Sequence, residues 1–191
     1  MSYAGVRNKR LVEQFQQAGV NAVGLTGIDG GTVKGARNKG IRVREGSKNL
    51  IKRDFSGKPK EVNADLLNLL MNNGYTPVLT IPILDERGFA VNSENDDIVN
   101  VLQAALGASQ VVQLIEAAGF LADANDPDSV VPSMTAAEVA VREQQVDGRI
   151  KRKMLALKTL VQGGDVQVII ADGRVEQPIR DALAGKGTVI Q

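Results

Sequence analysis

Apolar residues recur along this chain in two rhythms, one helical and one alternating, and the two take turns. Over residues 3–18, Val6, Leu11, Val12 and Phe15 recur at helical spacing. This predicts a helix with a buried stripe, closed by Gly19. Asn21 to Thr26 form a short apolar run, read as a strand, that enters the glycine-rich turn Gly27-Ile28-Asp29-Gly30-Gly31. Residues 32–58 hold alternating segments, Ile41-Arg42-Val43-Arg44 and Leu50-Ile51-Lys52, separated by Gly and Asn; that is the pattern of an antiparallel hairpin or ribbon. Asn63 is placed to cap a helix to about Asn73, with Leu66, Leu67 and Leu70 apolar and Gly74 ending it. Thr76–Leu84 reads as a strand-like run containing Pro77 and Pro82.

The second half repeats the rhythm. Glu94–Leu106 is predicted as a helix, Gln110–Ile115 as a strand and Asn125–Pro132 as a polar loop. Thr135–Gln145 and Arg149–Val161 follow as helices, Val166–Ile170 as a buried strand, Glu176–Ala184 as a helix and Thr188–Ile190 as a last strand. Alternating segments of these lengths predict an α/β layered fold with a mainly parallel sheet. A boundary is expected near Gly107.

Composition narrows the chemistry. The 191 residues are 43% hydrophobic and 24% charged, which fits an ordinary globular chain, while aromatics at 3% leave the core to aliphatic side chains. No apolar run approaches the roughly 20 residues that span a bilayer, and MSYAGVRNKR lacks the apolar stretch of a signal peptide. The expected location is cytoplasmic. There is no Cys and no His. Thiolate nucleophiles, thiolate zinc sites, Ser-His-Asp hydrolysis and His-based metalloenzymes are therefore excluded. Catalysis is left to Lys, Arg, Asp, Glu, hydroxyls, backbone amides and a bound Mg²⁺, the set that phosphoryl transfer uses.

Charge is distributed unevenly. The chain carries a formal net charge of +1, yet residues 32–60 hold Lys34, Arg37, Lys39, Arg42, Arg44, Lys48, Lys52, Arg53, Lys58 and Lys60 against only Glu45 and Asp54. Such a ribbon attracts an anionic partner over a distance that salt shortens. It equally fits a solvated hairpin whose cations prevent edge pairing. Nucleic acid is the weaker partner, because the ribbon has no aromatic suited to base stacking apart from Phe55.

Several segments, in order, resemble the amino acid kinase family, and within it the branches acting on acetylglutamate and on aminoadipate bound to the amino-group carrier protein LysW. They are VGLTGIDGG at 23–31, GYTPVLTIPI at 74–83, AVNSENDD at 90–97, GRIKRKM at 148–154, and ADGRVEQPI through GKGTVI at 171–190. The resemblance implies a three-layer αβα fold in which residues 1–107 form part of an acceptor-substrate lobe and 108–191 a nucleotide-binding lobe. It implies ATP with Mg²⁺, and a homodimer. By resemblance, Lys153 stabilises the transferring phosphoryl group, Asn92 binds the acceptor, and Glu94 stands where the family has an aspartate that organises the active-site lysines. Glu116, Gly148, Asp172 and Gly173 fall on the nucleotide side. Arg42, Arg44, Lys52 and Arg53 would dock an acidic carrier. A carboxylate nucleophile is already ionised at neutral pH, so the reaction needs fixed positive charge rather than a general base.

The sequence also departs from the family. Glu94 is one methylene longer than the family aspartate, and Ile115-Glu116-Ala117-Ala118-Gly119 replaces a hydroxyl–acid–proline pattern. The family's opening strand, with its Lys and glycine pair, has no counterpart, so the chain is expected to lack the first third of a typical member. Lys153 also fits an exposed basic helix start, and the acids near residue 94 fit favourable charge at a helix N-terminus. A carrier-linked aminoadipate kinase, an acetylglutamate kinase and a non-catalytic nucleotide- or carrier-binding module all remain open on the residues.

Overall fold

The glycine and asparagine punctuation of the sequence divides the chain into short elements, gathered into two compact units, Met1–Leu106 and Gly107–Gln191. The computed structural model describes residues 2–46, 48–52, 54–123, 125–146, 148–162 and 166–191, with the side chains of residues 41, 42, 45, 48, 52, 149 and 150 outside that description. In the first unit a π-wound segment, Ser2–Arg7, continues into α1 (Asn8–Gln17), followed by β1 (Ala22–Thr26) and a 3₁₀ turn at Asp29–Gly31. Then come β2 (Val33–Arg37), β3 (Ile41–Glu45), β4 (Lys48–Lys52), β5 (Gly57–Val62), α2 (Ala64–Asn72), β6 (Thr76–Thr80), β7 (Ile83–Leu84), β8 (Ala90–Val91) and α3 (Asn95–Leu106). The second unit holds β9 (Gln110–Ile115), β10 (Ser133–Met134), α4 (Ala136–Gln145), α5 (Gly148–Val161), β11 (Gln167–Asp172), α6 (Pro178–Leu183) and β12 (Thr188–Ile190).

In the first unit β1 and β6 pair in parallel from Ala22↔Thr76 to Thr26↔Thr80, and α1 lies against both. The buried stripe expected on this helix is corrected by the structure. Val12 and Phe15 are half-buried, but Val6 and Leu11 remain 51% and 41% exposed. The packing face follows Asn8, Val12 and Phe15 at i, i+4 and i+7, and its first member is polar. Asn8 is buried because its side-chain amide donates to the Val78 carbonyl at 2.8 Å.

A second sheet has the order β5-β2-β7-β8, and β3 and β4 pair separately as a two-stranded antiparallel ribbon. The hairpin expected over 32–58 is thus nested: β2 pairs with β5 outside, and β3 with β4 inside. The outer pair shifts register between Lys34 and Gly35, where a side chain on Gly35 would overlap the Lys58 carbonyl. The run Thr76–Leu84 is divided, with β6 on β1 and β7 between β2 and β8. The break falls at Pro82, which has no N–H to give a ladder. Val33, Ile83, Val91 and Ile98 form the core between this sheet and α3, backed by Leu79, Ile81, Val101 and Leu102. Each such buried side chain contributes roughly 1.5–3 kcal/mol. Asn92, just after β8, closes the sheet onto the foot of β5: its N–H donates to Phe55 O at 2.7 Å and its carbonyl accepts from Gly57 N at 2.8 Å.

The second unit has the sheet order β10-β12-β11-β9, with β9 and β11 parallel, β10 and β12 parallel, and β12 antiparallel to β11. Its core includes Ile169, Ala171 and Ala182, packed by Val112 and Val189. Thr135 and Glu138 form a capping box that starts α4. Glu143, buried near the end of α4, accepts from Lys158 Nζ at 3.4 Å and lies 4.0 Å from Lys151 Nζ, which ties α4 to α5. Gly187, at φ +114°, passes so close to Ile170 O that a side chain there would collide with it.

Thr188 is fully buried on β12. Its hydroxyl donates to Val131 O at 2.6 Å and accepts from Phe120 N at 2.7 Å, so one side chain holds both ends of the loop between β9 and β10. Thr188→Val keeps the shape and strands both partners. We expect a loss of ~2 kcal/mol in chemical denaturation of this unit, largely restored by Thr188→Ser.

Candidate functional site

The residues singled out from the sequence fall into separate groups, two in each unit. In the first unit, Asn92 and Glu94 occupy the connection from β8 to α3. Asn92 is exposed and its backbone is fixed by Phe55 and Gly57. Glu94 is exposed and its carbonyl accepts from Ile98 N at 3.2 Å, opening α3. Ser93, between them, is buried, and its hydroxyl has no partner among the described residues. Burial raises the Asp97 carboxyl above its ordinary range, opposed by the charge of Lys58.

The ribbon is the second group. Arg42 and Arg44 lie on β3, with Arg42 opposite Ile51 and Arg44 opposite Asn49. Lys52 lies opposite Ile41 at the end of β4. Arg44 is exposed, and Leu50 and Ile51 are 40% and 72% exposed. The side chains of Arg42 and Lys52, and all of Arg53, lie outside the described residues. Below the ribbon, Asp54 accepts from Ser56 N and Ser56 Oγ, and Asn38 Nδ2 donates to Ser56 Oγ at 2.7 Å. These bonds, the Ser56 hydroxyl first, hold the Asp54 carboxyl below its ordinary range.

One ribbon cation is not a surface charge. Arg37 Nε donates to Asp85 Oδ2 at 2.8 Å, its guanidinium lies 5.5 Å from the Phe55 ring centre, and Asp85 is buried. Asp85 Oδ1 also accepts from Arg87 N and Phe89 N. Sequence reading missed this pair because 48 residues separate the partners. It borders an open cavity of about 530 Å³, lined in part by Lys34, Lys60, Glu61 and Glu86.

In the second unit the structure brings Glu116, Asp172 and Gly173 together. Strands β9 and β11 are parallel and end level, Asp172 opposite Ile115, and Gly173 N donates to Ile115 O at 2.8 Å. Glu116 therefore sits beside the Asp172–Gly173 turn at the carboxyl edge of the pair, where open α/β sheets bind ligands. Asp172 is already engaged. Its Oδ1 accepts from Arg174 Nε at 2.8 Å and Arg174 N at 2.9 Å, and its Oδ2 from Arg174 Nη2 at 2.7 Å. The guanidinium, then the backbone N–H, lower the Asp172 carboxyl to about 2. Arg174 is a residue that the sequence reading passed over; an Asp two places before an Arg with Gly between was the available signal.

Gly148 and Lys153 form the fourth group, on α5. Gly148 opens the helix at φ +63° and is exposed. Lys153 is exposed and makes no hydrogen bond or ion pair among the described residues, whereas Met154, Ala156, Leu157, Leu160 and Val161 on the same helix are buried. Among the described residues no group of three or more acidic side chains is arranged to hold a metal, and no helix is long and apolar enough to cross a membrane.

Comparison with known proteins fixes the family. Residues 1–172 match the amino acid kinase family. The chain is 41% identical over 194 residues to the [LysW]-aminoadipate kinase of Thermus thermophilus, covering all of this chain and 72% of that protein. It is 38% identical to the [LysW]-aminoadipate kinase of Deinococcus radiodurans, with 100% and 65% coverage, and 31% identical to the acetylglutamate kinase of Methanopyrus kandleri, with 100% and 74% coverage. Among solved structures, N-acetylglutamate synthase of Neisseria gonorrhoeae superposes with a TM-score of 0.79 at 16% identity, over 99% of this chain and 42% of that one. Carbamate kinase of Giardia superposes at 0.69 and 15% identity, over 98% and 69%. These two likenesses speak to fold. The family match over residues 1–172 and the 41% identity across the whole chain place this chain in the amino acid kinase family, a family of phosphotransferases.

Proposed function

We propose that this protein phosphorylates the side-chain carboxylate of α-aminoadipate held on an acidic amino-group carrier protein, forming an acyl phosphate from ATP. The observation that carries this reading is the 41% identity to a [LysW]-aminoadipate kinase across the whole chain. The ribbon supports it, since β3 and β4 pair apart from the neighbouring sheet and carry Arg42, Arg44, Lys48 and Lys52 against Glu45. A free amino acid needs no such surface; an acidic protein does. In this reading the first unit handles the acceptor, with Asn92 and Glu94 beside it, and the second handles ATP, with Glu116, Gly148, Asp172 and Gly173 on the nucleotide side.

The chemistry follows from charge. Acceptor carboxylate and γ-phosphate are both anions, so the barrier falls when fixed cations offset their repulsion and hold them in line. Lys153 supplies that charge. Mg²⁺ would add positive charge at the phosphates, and few protein ligands are expected for it, since no described group of acidic residues is arranged to hold it. The active form in this reading is a homodimer. Acetylglutamate kinase is the second reading, supported by the 31% identity to the Methanopyrus kandleri enzyme.

Carrier dependence separates the two. We expect binding of the aminoadipate-loaded carrier, followed by titration calorimetry, to weaken at least ~10-fold between 50 and 500 mM salt. Arg44→Glu is expected to weaken it similarly at low salt, with ATP binding unchanged. Turnover of free acetylglutamate with no response to carrier would overturn the first reading in favour of the second.

A further inference from the structure

The carboxyl edge of β9 and β11 contains three charged groups, and their arrangement says more than the presence of a nucleotide. Asp172 spends both oxygens on Arg174, through Nε, Nη2 and the backbone N–H. It has little left to offer a ligand. Arg174, by contrast, is held by one edge only. Nη1 makes no hydrogen bond among the described residues, and the side chain is 61% exposed. On the neighbouring strand end is Glu116, exposed and next in the chain to Ile115, which pairs with Asp172 and accepts from Gly173 N. The ligand contact at this edge therefore passes from Asp172 to Arg174.

The charge sum indicates which part of a nucleotide belongs here. Two carboxylates against one guanidinium leave the trio net negative, which disfavours a triphosphate. A guanidinium donates only and a carboxylate accepts only. Side by side they complement a group that offers one acceptor and one donor. The N7 and exocyclic N6 of adenine are such a pair, whereas guanine presents two acceptors, N7 and O6, on the same edge.

We propose that Arg174, held in place by Asp172, and Glu116 recognise the adenine base of the nucleotide and discriminate against guanine. Arg174 donates to the ring acceptor, Glu116 accepts from the exocyclic amine, and Asp172 is a positioning residue acting through Arg174. This rests on the nucleotide-side role given to the second unit in the functional reading above.

The test is equilibrium binding of ADP, GDP and phosphate-free adenosine to the wild-type protein and to Arg174→Ala, Glu116→Gln and Asp172→Asn. Arg174 and Glu116 are exposed, so their variants are expected to keep the wild-type melting temperature. Wild type should prefer ADP over GDP by at least ~10-fold. Arg174→Ala should weaken ADP and adenosine by the same factor, ~10-fold or more. Glu116→Gln should narrow the ADP-to-GDP preference, because its amide can donate to O6. Asp172→Asn should follow Arg174→Ala for both ligands. If Arg174→Ala weakens ADP but leaves adenosine unchanged, the contact is to phosphate and the proposal is wrong; unchanged binding of both overturns it as well. A wild-type protein that binds neither ADP nor adenosine would instead overturn the nucleotide reading itself.

Discussion

Replacing Lys153 by alanine is expected to lower kcat for ADP release ~10³-fold while leaving the melting temperature within about a degree of wild type. The two halves of that expectation have different origins. The side chain is exposed and unpaired among the described residues, and α5 is held by its buried residues and by the Glu143–Lys158 contact. Removing the ammonium therefore leaves the helix in place. Its effect on rate comes from the transition state, where the transferring phosphoryl group stands between two oxygens of the same charge. A cation there acts only as the charge spreads, so kcat should fall more than KM rises. Lys158→Ala, which loosens α5 without touching that charge, should show the opposite pattern: lower stability and modest loss of rate. Activity of Lys153→Ala within about twofold of wild type would remove Lys153 from the mechanism.

Asp85→Ala is expected to cause the largest loss of stability, lowering the melting temperature of the first unit by ~10 °C or more. The carboxylate is the shared acceptor of Arg37 Nε, Arg87 N and Phe89 N, and its side chain is 1% exposed. Truncation leaves a largely buried guanidinium and two amides without their acceptor. Asp85→Asn keeps an oxygen and should recover part of the loss. Burial pushes the Asp85 carboxyl up, but the amides of Phe89 and Arg87 and the Arg37 guanidinium outweigh it, so the group titrates below its ordinary range. With the folded pKa depressed, the stabilisation is present above the unfolded value near pH 4 and disappears as pH falls through the folded value. Melting curves of wild type and Asp85→Ala should accordingly converge in acid. Equal melting temperatures at pH 7 would show that the pair does not stabilise this unit.

Local signals in the sequence located most elements, and long-range pairing explains most of what they missed. Asn63 caps α2, Thr135 caps α4, and the apolar runs at Gln110–Ile115 and Thr188–Ile190 coincide with β9 and β12. Strands β8 and β10 have two residues each, too short for any period to register. The nesting of β3 and β4 inside β2 and β5 depends on which of four similar alternating segments pair, and alternation itself is silent on that. Asn8 shows the same limit on α1, since its burial depends on Val78, 70 positions away. At the candidate site, positions 116, 172 and 173 were singled out in the sequence, and the structure brings them to one edge of paired strands. Arg174 was not singled out, because a lone Arg in a turn does not reveal the two bonds that its guanidinium donates to Asp172. Arg37 looked like one more surface cation until a partner from a distant turn was placed against it.

The stitch between Asn92 and the Phe55–Gly57 backbone has a mechanical meaning. It joins the start of β5 to the segment that leads into α3 through two main-chain bonds, with no flexible side chain between. Bonds between main chains hold Asn92 and Ser93 against the start of β5 whatever rotamers the neighbouring side chains adopt. The entry to α3 is therefore positioned by the same strand that closes one edge of the second sheet.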